Sequence, residues 1–280
     1  MSADGALPST ADDTPRQGTL DLVPTHPHMA TTTVMLPRLN IFQPTFHPVY
    51  RDTGWIGPET ARCRVRGCLG QRHEAVLEAI MHNASHVRVV TGPDGCVDVA
   101  EITADPAAIR RALSAHGESY GHSKLVGLLD DLAHTLVSVD YTRKGVRYQA
   151  TGSLLADFVL RTRTGDKLWN PVTRENDRSA WTFRLGRTFI YLYGNDIPRF
   201  WDPGQFRPLT TGIAQAVARY VLAHANNPIG GWKLDTLIHA VLPGDITTVT
   251  LRHRRRELRL AAPALKTLGV LLENDRVRKA

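Results

Sequence analysis

The chain has 280 residues, about twice the usual size of one domain, so we expect two compact domains. Hydrophobic residues make up 42% and charged residues 22%, an ordinary composition that excludes a wholly disordered chain. No apolar run approaches the roughly 18 residues needed to span a bilayer, and the acidic N-terminus excludes a secretory signal. Three cysteines do not form a disulfide framework, so we expect a cytoplasmic protein that does not act at a membrane.

Basic residues are concentrated at the C-terminal end of the chain. The formal net charge is +7, and residues 251–280 contain nine Lys or Arg against three Asp or Glu. Residues 1–40 contain two basic residues against four acidic ones. This polarity indicates a localised element that binds an anionic partner.

The N-terminal part begins with a segment that lacks apolar periodicity. Residues 1–35 are rich in Pro, Thr, Asp and Ala and are predicted to be a disordered leader. Apolar residues at helical spacing then predict a helix over residues 71–84. Two short β-branched runs, separated by a Pro-Asp-Gly turn, predict a hairpin over residues 87–99.

Two further helices and a second hairpin follow. Thr103 or Asp105 as the N-cap, with Pro106 near the first helical position, predicts the start of a helix that ends at Gly117. A one-sided stripe of leucines predicts the next helix from Ser119, and alternating β-branched residues predict a hairpin over residues 136–151. Helix, hairpin, helix, turn, helix and hairpin is the order of a winged helix-turn-helix domain, with the second helix of the pair in the major groove.

The second half repeats this order of elements. A polar segment at residues 164–180 is predicted to link a first domain (residues 36–163) to a second (residues 181–280). Residues 181–193 alternate as strands do, and apolar spacing predicts three helices, at residues 210–224, 233–241 and 248–272. The predicted fold class is therefore α+β, mostly α, with two tandem winged helix-turn-helix domains.

The strongest single feature is the segment Leu251-Arg-His-Arg-Arg-Arg-Glu-Leu-Arg-Leu260. On a helix Leu251, Leu258, Ala262 and Leu265 can pack inward, while the other side is covered by Arg252, Arg255, Arg256 and Arg259. Guanidinium groups donate paired hydrogen bonds to phosphates or to guanine O6 and N7; a solvated basic surface is the alternative. Pro263 is expected to kink or break the helix about one turn earlier. The predicted DNA-binding residues of this helix are Arg252, Arg254, Arg255, Arg256, Arg259 and Lys266.

Within this helix and the first domain, the predicted residues have different roles. Arg255 and Arg256 are predicted to read base edges, and Arg252 and Arg259 to contact phosphates. The first domain is expected to bind DNA more weakly, because Asp130 and Asp131 lie on the polar side of its reading helix. Its predicted contacts are Ser119, Tyr120, His122, Ser123 and Lys124 at the helix start, and Arg143, Lys144 and Arg147 in the hairpin. Packing against a second subunit, as a homodimer, remains an equal alternative for this domain.

Enzymatic functions find little support in the sequence. Cys63, Cys68, His73 and His82 are candidate zinc ligands, but the cysteine spacing is longer than in usual zinc sites. His26-Pro-His28 resembles the metal motif of rolling-circle nickases, but it lies in the predicted leader rather than in a strand. No nucleotide-binding or hydrolase motif is present. We therefore expect no enzymatic activity, no metal and no cofactor.

The segment from Ser119 to Val139 resembles the first winged-helix domain of plasmid replication initiators of the TrfA and iteron-binding Rep type. There, a polar helix start leads into Leu-Leu-x-x-Leu and then into a β-branched strand. The second half adds Arg207-Pro-Leu-Thr-Thr-Gly-Ile213 before a helix, and Arg254-Arg-Arg-Glu-Leu258 before Leu265-x-x-Leu268. The resemblance covers roughly residues 36–280 through diffuse hydrophobic patterns. Pro263 departs from it, and the chain has little length left for a second wing.

The resemblance implies a function without bond chemistry. Members of that family bind direct repeats (iterons) in double-stranded origin DNA and open an adjacent AT-rich stretch. They also help to recruit the host replication initiator and the replicative helicase. A winged-helix transcriptional regulator is the alternative, because fold alone does not determine function.

Overall fold

The computed structural model describes residues 30–280 except residues 92–96, 115–119, 144, 160–167, 170–175 and 178–179. The α-helices are α1 (Gln71–His82), α2 (Pro106–Leu113), α3 (His122–His134), α4 (Arg187–Asn195), α5 (Gly212–Ala223), α6 (Leu234–Val241) and α7 (Thr248–Thr267). The strands of the first half are β1 (Ala30–Thr33), β2 (Arg51–Asp52), β3 (Ala61–Gly67), β4 (Ala84–Thr91), β5 (Val97–Ala104), β6 (Leu136–Arg143), β7 (Val146–Gly152), β8 (Leu155–Val159), β9 (Leu168–Trp169), β10 (Asn176–Asp177) and β11 (Trp181–Leu185). After α4 come β12 (Pro198–Trp201), β13 (Trp232–Lys233), β14 (Val270–Glu273) and β15 (Arg276–Lys279).

The strands form small antiparallel sheets. Two sheets have four strands, in the orders β2-β3-β6-β7 and β4-β5-β11-β8. A three-stranded sheet has the order β13-β15-β14, and β1 pairs with β12 while β9 pairs with β10. The α+β class is therefore correct, but the prediction that the chain is mostly α is wrong. Helical periodicity was visible in the sequence, whereas short strands such as β8 and β12 were not predicted.

Several predicted elements occur close to their predicted bounds. The β4–β5 hairpin forms, with the register Val89↔Ala100, and so does the β6–β7 hairpin, with the register Tyr141↔Tyr148. Helix α2 begins after Asp105, whose carboxylate accepts a hydrogen bond from the Ala107 N–H and so caps the helix. Local patterns thus located these elements correctly.

Three predictions are corrected by the structure. Residues 181–193 are not all strand, because β11 ends at Leu185 and α4 follows. Residues 30–33 of the predicted leader form β1, which pairs with β12, and Thr32 and Thr33 are buried; residues 1–29 lie outside the described part. Helix α7 does not break but continues through the exposed Pro263.

Two hydrophobic clusters divide the core. The first extends from Leu36 to Tyr193 and includes the inward faces of α1, α3 and α4. The second extends from Trp201 to Val277 and includes α5, α6 and α7. We call the chain up to Tyr193 the first half and the chain from Trp201 the second half. Strand β11, which follows the predicted linker at residues 164–180, pairs with β5 and β8 of the first half. The change from the first cluster to the second therefore comes after this linker.

A buried ion pair connects the two halves. Arg219 of α5 is fully buried, and its guanidinium donates to both carboxylate oxygens of Glu78 of α1, at 2.9 and 2.7 Å. The Trp201 indole N–H also donates to Glu78, at 3.1 Å, and the Gln71 amide oxygen accepts from Arg219 at 3.0 Å. Buried charges need such complete pairing, so these contacts position α5 against α1.

Glu74 adds a second carboxylate to this buried cluster. It lies 3.8 Å from the Arg219 guanidinium and is itself buried. Burial raises the pKa of Glu74 to about 7, although Arg219 opposes the shift, and the nearby Glu78 carboxylate raises it further. Two carboxylates thus face one guanidinium, and the cluster takes up a proton near neutral pH.

In the part of the chain that the structure describes, no helix has an apolar stretch long enough to cross a lipid bilayer.

Candidate nucleic-acid interface

Helix α7 is held against the second half by one apolar face. Thr247 caps its start by accepting a hydrogen bond from the Thr250 N–H at 3.2 Å. Leu258 and Leu265 are buried in the second cluster, and Leu251 packs at its edge. Ala262 was predicted to point inward, but Ala261 and Ala264 contact the cluster instead. The opposite face of the helix is open to solvent.

Three of the predicted arginines of α7 are paired with acidic side chains. Arg255 forms a bidentate ion pair with Asp235 of α6, and Arg259 donates a hydrogen bond to Asp275 at 2.7 Å. Arg254 donates to Glu257, one turn along the same helix, at 2.7 Å. The Arg255 hydrogen bonds lower the pKa of Asp235, so this carboxylate stays ionised at neutral pH. Arg255, predicted to read bases, is therefore directed towards α6.

The other three cations of α7 are exposed. Arg252, Arg256 and Lys266 lie on the solvent side of the helix, and within the described residues none of them forms an ion pair. Val249 and Leu260 are each 73% exposed on the same side. Because the exposed guanidinium groups of Arg252 and Arg256 form no hydrogen bond with another described residue, this side can bind phosphates and base edges.

A β-hairpin follows α7 directly. Strands β14 and β15 pair from Val270↔Lys279 to Glu273↔Arg276 across a two-residue turn. Asn274 and Asp275 both have positive φ, at 48° and 58°, which suits the tight turn of a hairpin. Little length was expected to remain for a second wing, but so short a turn leaves enough residues for both strands of this hairpin.

Strand β15 also contributes cations that sequence reasoning missed. Arg278 is 56% exposed and pairs with Glu273 at 2.9 Å. Arg276 donates to the carbonyl oxygen of Gly230 at 3.0 Å. The alternation Arg-Val-Arg, with Val277 buried, was the signal that could have identified this strand and its outward arginines.

At the start of α3, Tyr120 is buried, whereas His122, Ser123 and Lys124 are exposed. The predicted residues here are Ser119, Tyr120, His122, Ser123 and Lys124, of which Ser119 lies outside the described residues. Tyr120 is 8% exposed, and the Lys124 ammonium lies 4.5 Å from the centre of its ring. The His122 ring packs edge-on against Trp181, with 5.4 Å between ring centres. Ser123 and Lys124 are exposed at the start of the helix.

The acidic residues of α3 have histidine partners. Asp131 lies 3.0 Å from His73 Nε2, and Asp130 lies 3.2 Å from His134 Nδ1. His73 is buried, which lowers its pKa despite the hydrogen bond to Asp131. Asp131 thus fastens α3 to α1, a role that the pattern on α3 alone did not predict.

In the β6–β7 hairpin, the side chain of Arg147 forms an ion pair within the sheet. Arg147 donates to both carboxylate oxygens of Asp140, at 2.8 and 2.6 Å, and Arg62 of β3 donates to the same carboxylate. These hydrogen bonds hold the pKa of Asp140 well below its usual range. Arg143 ends β6 at the hairpin turn, and Lys144 lies outside the described residues.

The four candidate zinc ligands have other neighbours. The Cys63 and Cys68 thiols each donate to a backbone carbonyl, and His73 Nδ1 accepts from the Gly70 N–H at 2.9 Å. Burial raises the pKa of the Cys63 thiol to about 12. Across the described ranges, no three His, Cys, Asp or Glu side chains are grouped as metal ligands. His26 and His28 lie outside those ranges.

The chain matches no protein-family model and no curated protein. Its fold resembles that of domains 2 and 3 of RctB, solved as a crystal structure of selenomethionine derivatives. The TM-score is 0.45 and the identity 10%, with 85% of this chain and 92% of that chain covered.

Proposed function

We propose that the protein binds double-stranded DNA and initiates plasmid replication at direct repeats. The observation that carries the DNA-binding part is the exposed face of α7, where Arg252, Arg256 and Lys266 lack acidic partners within the described residues. Phosphates supply most of the affinity of such proteins, and exposed guanidinium groups are suited to them.

We interpret each half as a winged helix-turn-helix domain. In the second half α5, β13, α6, α7 and the β14–β15 hairpin follow one another, with β13 joining the hairpin in one sheet. This order supports the assignment of α7 as the reading helix and of β14–β15 as the wing. In the first half, α2, α3 and the β6–β7 hairpin support the same interpretation.

In this proposal the N-terminal part of α7 enters the major groove. Thr248 and Val249 are exposed there, and a methyl or hydroxyl group at this position contacts base edges. Arg256 lies two turns further along, so it contacts a base or the flanking backbone. Arg255 supports the helix through Asp235 rather than reading a base. Arg276 and Arg278 of the wing contact the neighbouring phosphates.

The first half contributes less to affinity in this account. His122, Ser123 and Lys124 are exposed at the start of α3, and Ser123 and Lys124 suit one or two backbone contacts. The alternative role of this half is contact with a second copy of the chain. Bound DNA is opened by distortion of the duplex, so the proposal includes no bond chemistry, cofactor or metal.

The initiation step rests on the family resemblance of residues 36–280. It implies a cytoplasmic bacterial protein that opens AT-rich DNA and recruits the host replication initiator and the helicase. A transcriptional regulator would bind its site without opening the duplex.

The test begins with selection of bound sequences from random duplexes at physiological salt. The proposal predicts a preferred site that recurs as direct repeats beside the gene. A supercoiled plasmid carrying those repeats is then incubated with the full chain, Mg²⁺ and permanganate, which oxidises unpaired thymines. We expect thymine reactivity next to the repeats and no nicking. Binding without opening would favour a regulator, and nicking would overturn the non-enzymatic account.

A further inference from the structure

A cleft of about 210 Å³ lies where the two halves of the molecule meet. The first half lines it with Phe46, with Arg72 of α1 and with Tyr120, which precedes α3. The second half lines it with Phe206 and Arg207, which follow β12. A ligand in this cleft would therefore contact both halves at once.

The wall of this cleft is cationic. None of the described lining residues is acidic, and neither Arg72 nor Arg207 forms an ion pair within the described ranges. The Nε of Arg207 donates to the Ala112 carbonyl at 3.2 Å, which positions the side chain and occupies a carbonyl at the end of α2. Arg219, the third guanidinium of the wall, is already neutralised by Glu78. Two arginines therefore present uncompensated charge to the cleft.

An aromatic ring holds Arg72 in place. The Arg72 guanidinium lies 5.2 Å from the centre of the Phe46 ring, and Lys124, which does not itself line the cleft, lies 4.5 Å from the centre of the Tyr120 ring. A ring face stabilises a cation without cancelling its charge, unlike a carboxylate. The arrangement thus keeps positive charge available in a partly enclosed space, where it interacts more strongly with an anion than in bulk water.

We propose that this cleft binds a compact phosphate-bearing ligand, with Arg72 and Arg207 as its two charged contacts. Arginine suits phosphate because its planar fork donates two parallel hydrogen bonds. The volume lies below the roughly 300–1,000 Å³ of sites for drug-sized ligands, so the ligand is of the size of inorganic phosphate or a nucleoside monophosphate. This site is separate from the face of α7 and does not depend on the proposed function.

The test is isothermal titration calorimetry of the full chain with inorganic phosphate and with adenosine monophosphate, at ionic strength matched with chloride. We expect saturable binding of at least one of them. Arg72→Ala and Arg207→Ala should each weaken it about tenfold or more, the effect of losing a charged hydrogen bond. Arg72→Lys, which keeps the charge, should weaken it less. Arg64→Ala removes an exposed arginine of β3 that does not line the cleft and should leave binding unchanged.

Two outcomes would overturn the proposal. One is the absence of binding beyond the chloride control, or binding that both alanine variants retain while circular dichroism shows them folded. The other identifies the DNA backbone as the source of phosphate. In that case neither small ligand binds, but Arg72→Ala and Arg207→Ala weaken the binding of duplex DNA. Failure of DNA binding itself would not affect the calorimetric result, so the two proposals fail separately.

Discussion

Helices α3 and α7 precede a β-hairpin in their respective halves, yet they present different surfaces. The outward side of α7 carries Arg252 and Arg256, exposed and without acidic partners among the described residues. On α3 the corresponding charges are Asp130 and Asp131, and each lies beside a histidine. Equivalent places in the order of elements therefore do not imply equivalent functions.

The difference extends to the hairpins and sheets. In the first half Asp140 forms ion pairs with both Arg62 and Arg147, and Asp52 forms one with Arg66 at 3.0 Å. These arginines connect neighbouring strands. In the second half cations outnumber carboxylates, and within the described ranges Arg252 and Arg256 form no ion pair. Local surplus of charge, rather than the number of arginines, distinguishes a nucleic-acid surface from a cross-linked sheet.

The largest expected effect concerns the buried ion pair between Arg219 and Glu78, which connects the two halves. Arg219→Met should lower the free energy of unfolding by about 3–5 kcal/mol, because it leaves the Glu78 carboxylate buried without its partner. Urea denaturation measures the change. Arg64→Met, at an exposed position of β3, is the matched control and should change stability by about 0.5 kcal/mol or less. Equal stability of the two variants would show that the halves are not held by this ion pair.

The same cluster gives a smaller effect that depends on pH. The pKa of Glu74 is about 7 in the folded protein against 4.5 for the free group, so the folded state binds a proton more tightly than the unfolded state. Its contribution is fully present below about pH 4.5 and is lost as the pH rises through about 7. Between pH 5 and pH 8, the wild type should lose about 3 kcal/mol relative to Glu74→Gln. Parallel pH profiles of the two proteins would contradict this assignment.

A still smaller effect would sharpen the contrast between free and paired cations. Asp275→Asn should release Arg259 and keep the hairpin turn, because Asn tolerates positive φ. We expect DNA affinity to rise several-fold and the salt dependence to steepen by up to about one unit. Glu273→Gln releases Arg278 in the wing and should raise the DNA affinity in the same direction. Fluorescence anisotropy measures both, and unchanged affinity in both variants would indicate that this surface does not approach DNA.

Local patterns in the sequence predicted most helices and both hairpins of the first half. The leucine stripe of α3 and the Asp105 cap of α2 depend only on neighbours along the chain. Strand β11 and helix α4 were assigned together as strands, because alternation over residues 181–193 continued into a segment that folds as a helix. Only its partners β5 and β8, distant in sequence, show where the strand ends.

The position of the basic helix was predictable from the sequence, but the ion pairs of its arginines were not. Charge counting located α7, since an excess of arginine in one segment is visible without a structure. Which arginines are free depends on Asp235 and Asp275, which approach α7 from α6 and from the hairpin turn. Spacing along α7 does not contain that information. The burial of Arg219 was likewise unpredictable, because its partner Glu78 lies far away in the sequence.

In the proposed function α7, and not α3, supplies most of the DNA affinity. The direct measurement is anisotropy on the selected duplex and a scrambled duplex over a salt series, with Arg252→Ala plus Arg256→Ala compared with Ser123→Ala plus Lys124→Ala. Each phosphate contact contributes about 0.9 to the slope of log affinity against log salt, so the α7 variant should be shallower by roughly 1–2 units and the α3 variant by at most about one. An unchanged α7 variant beside an α3 variant that no longer binds would contradict the account.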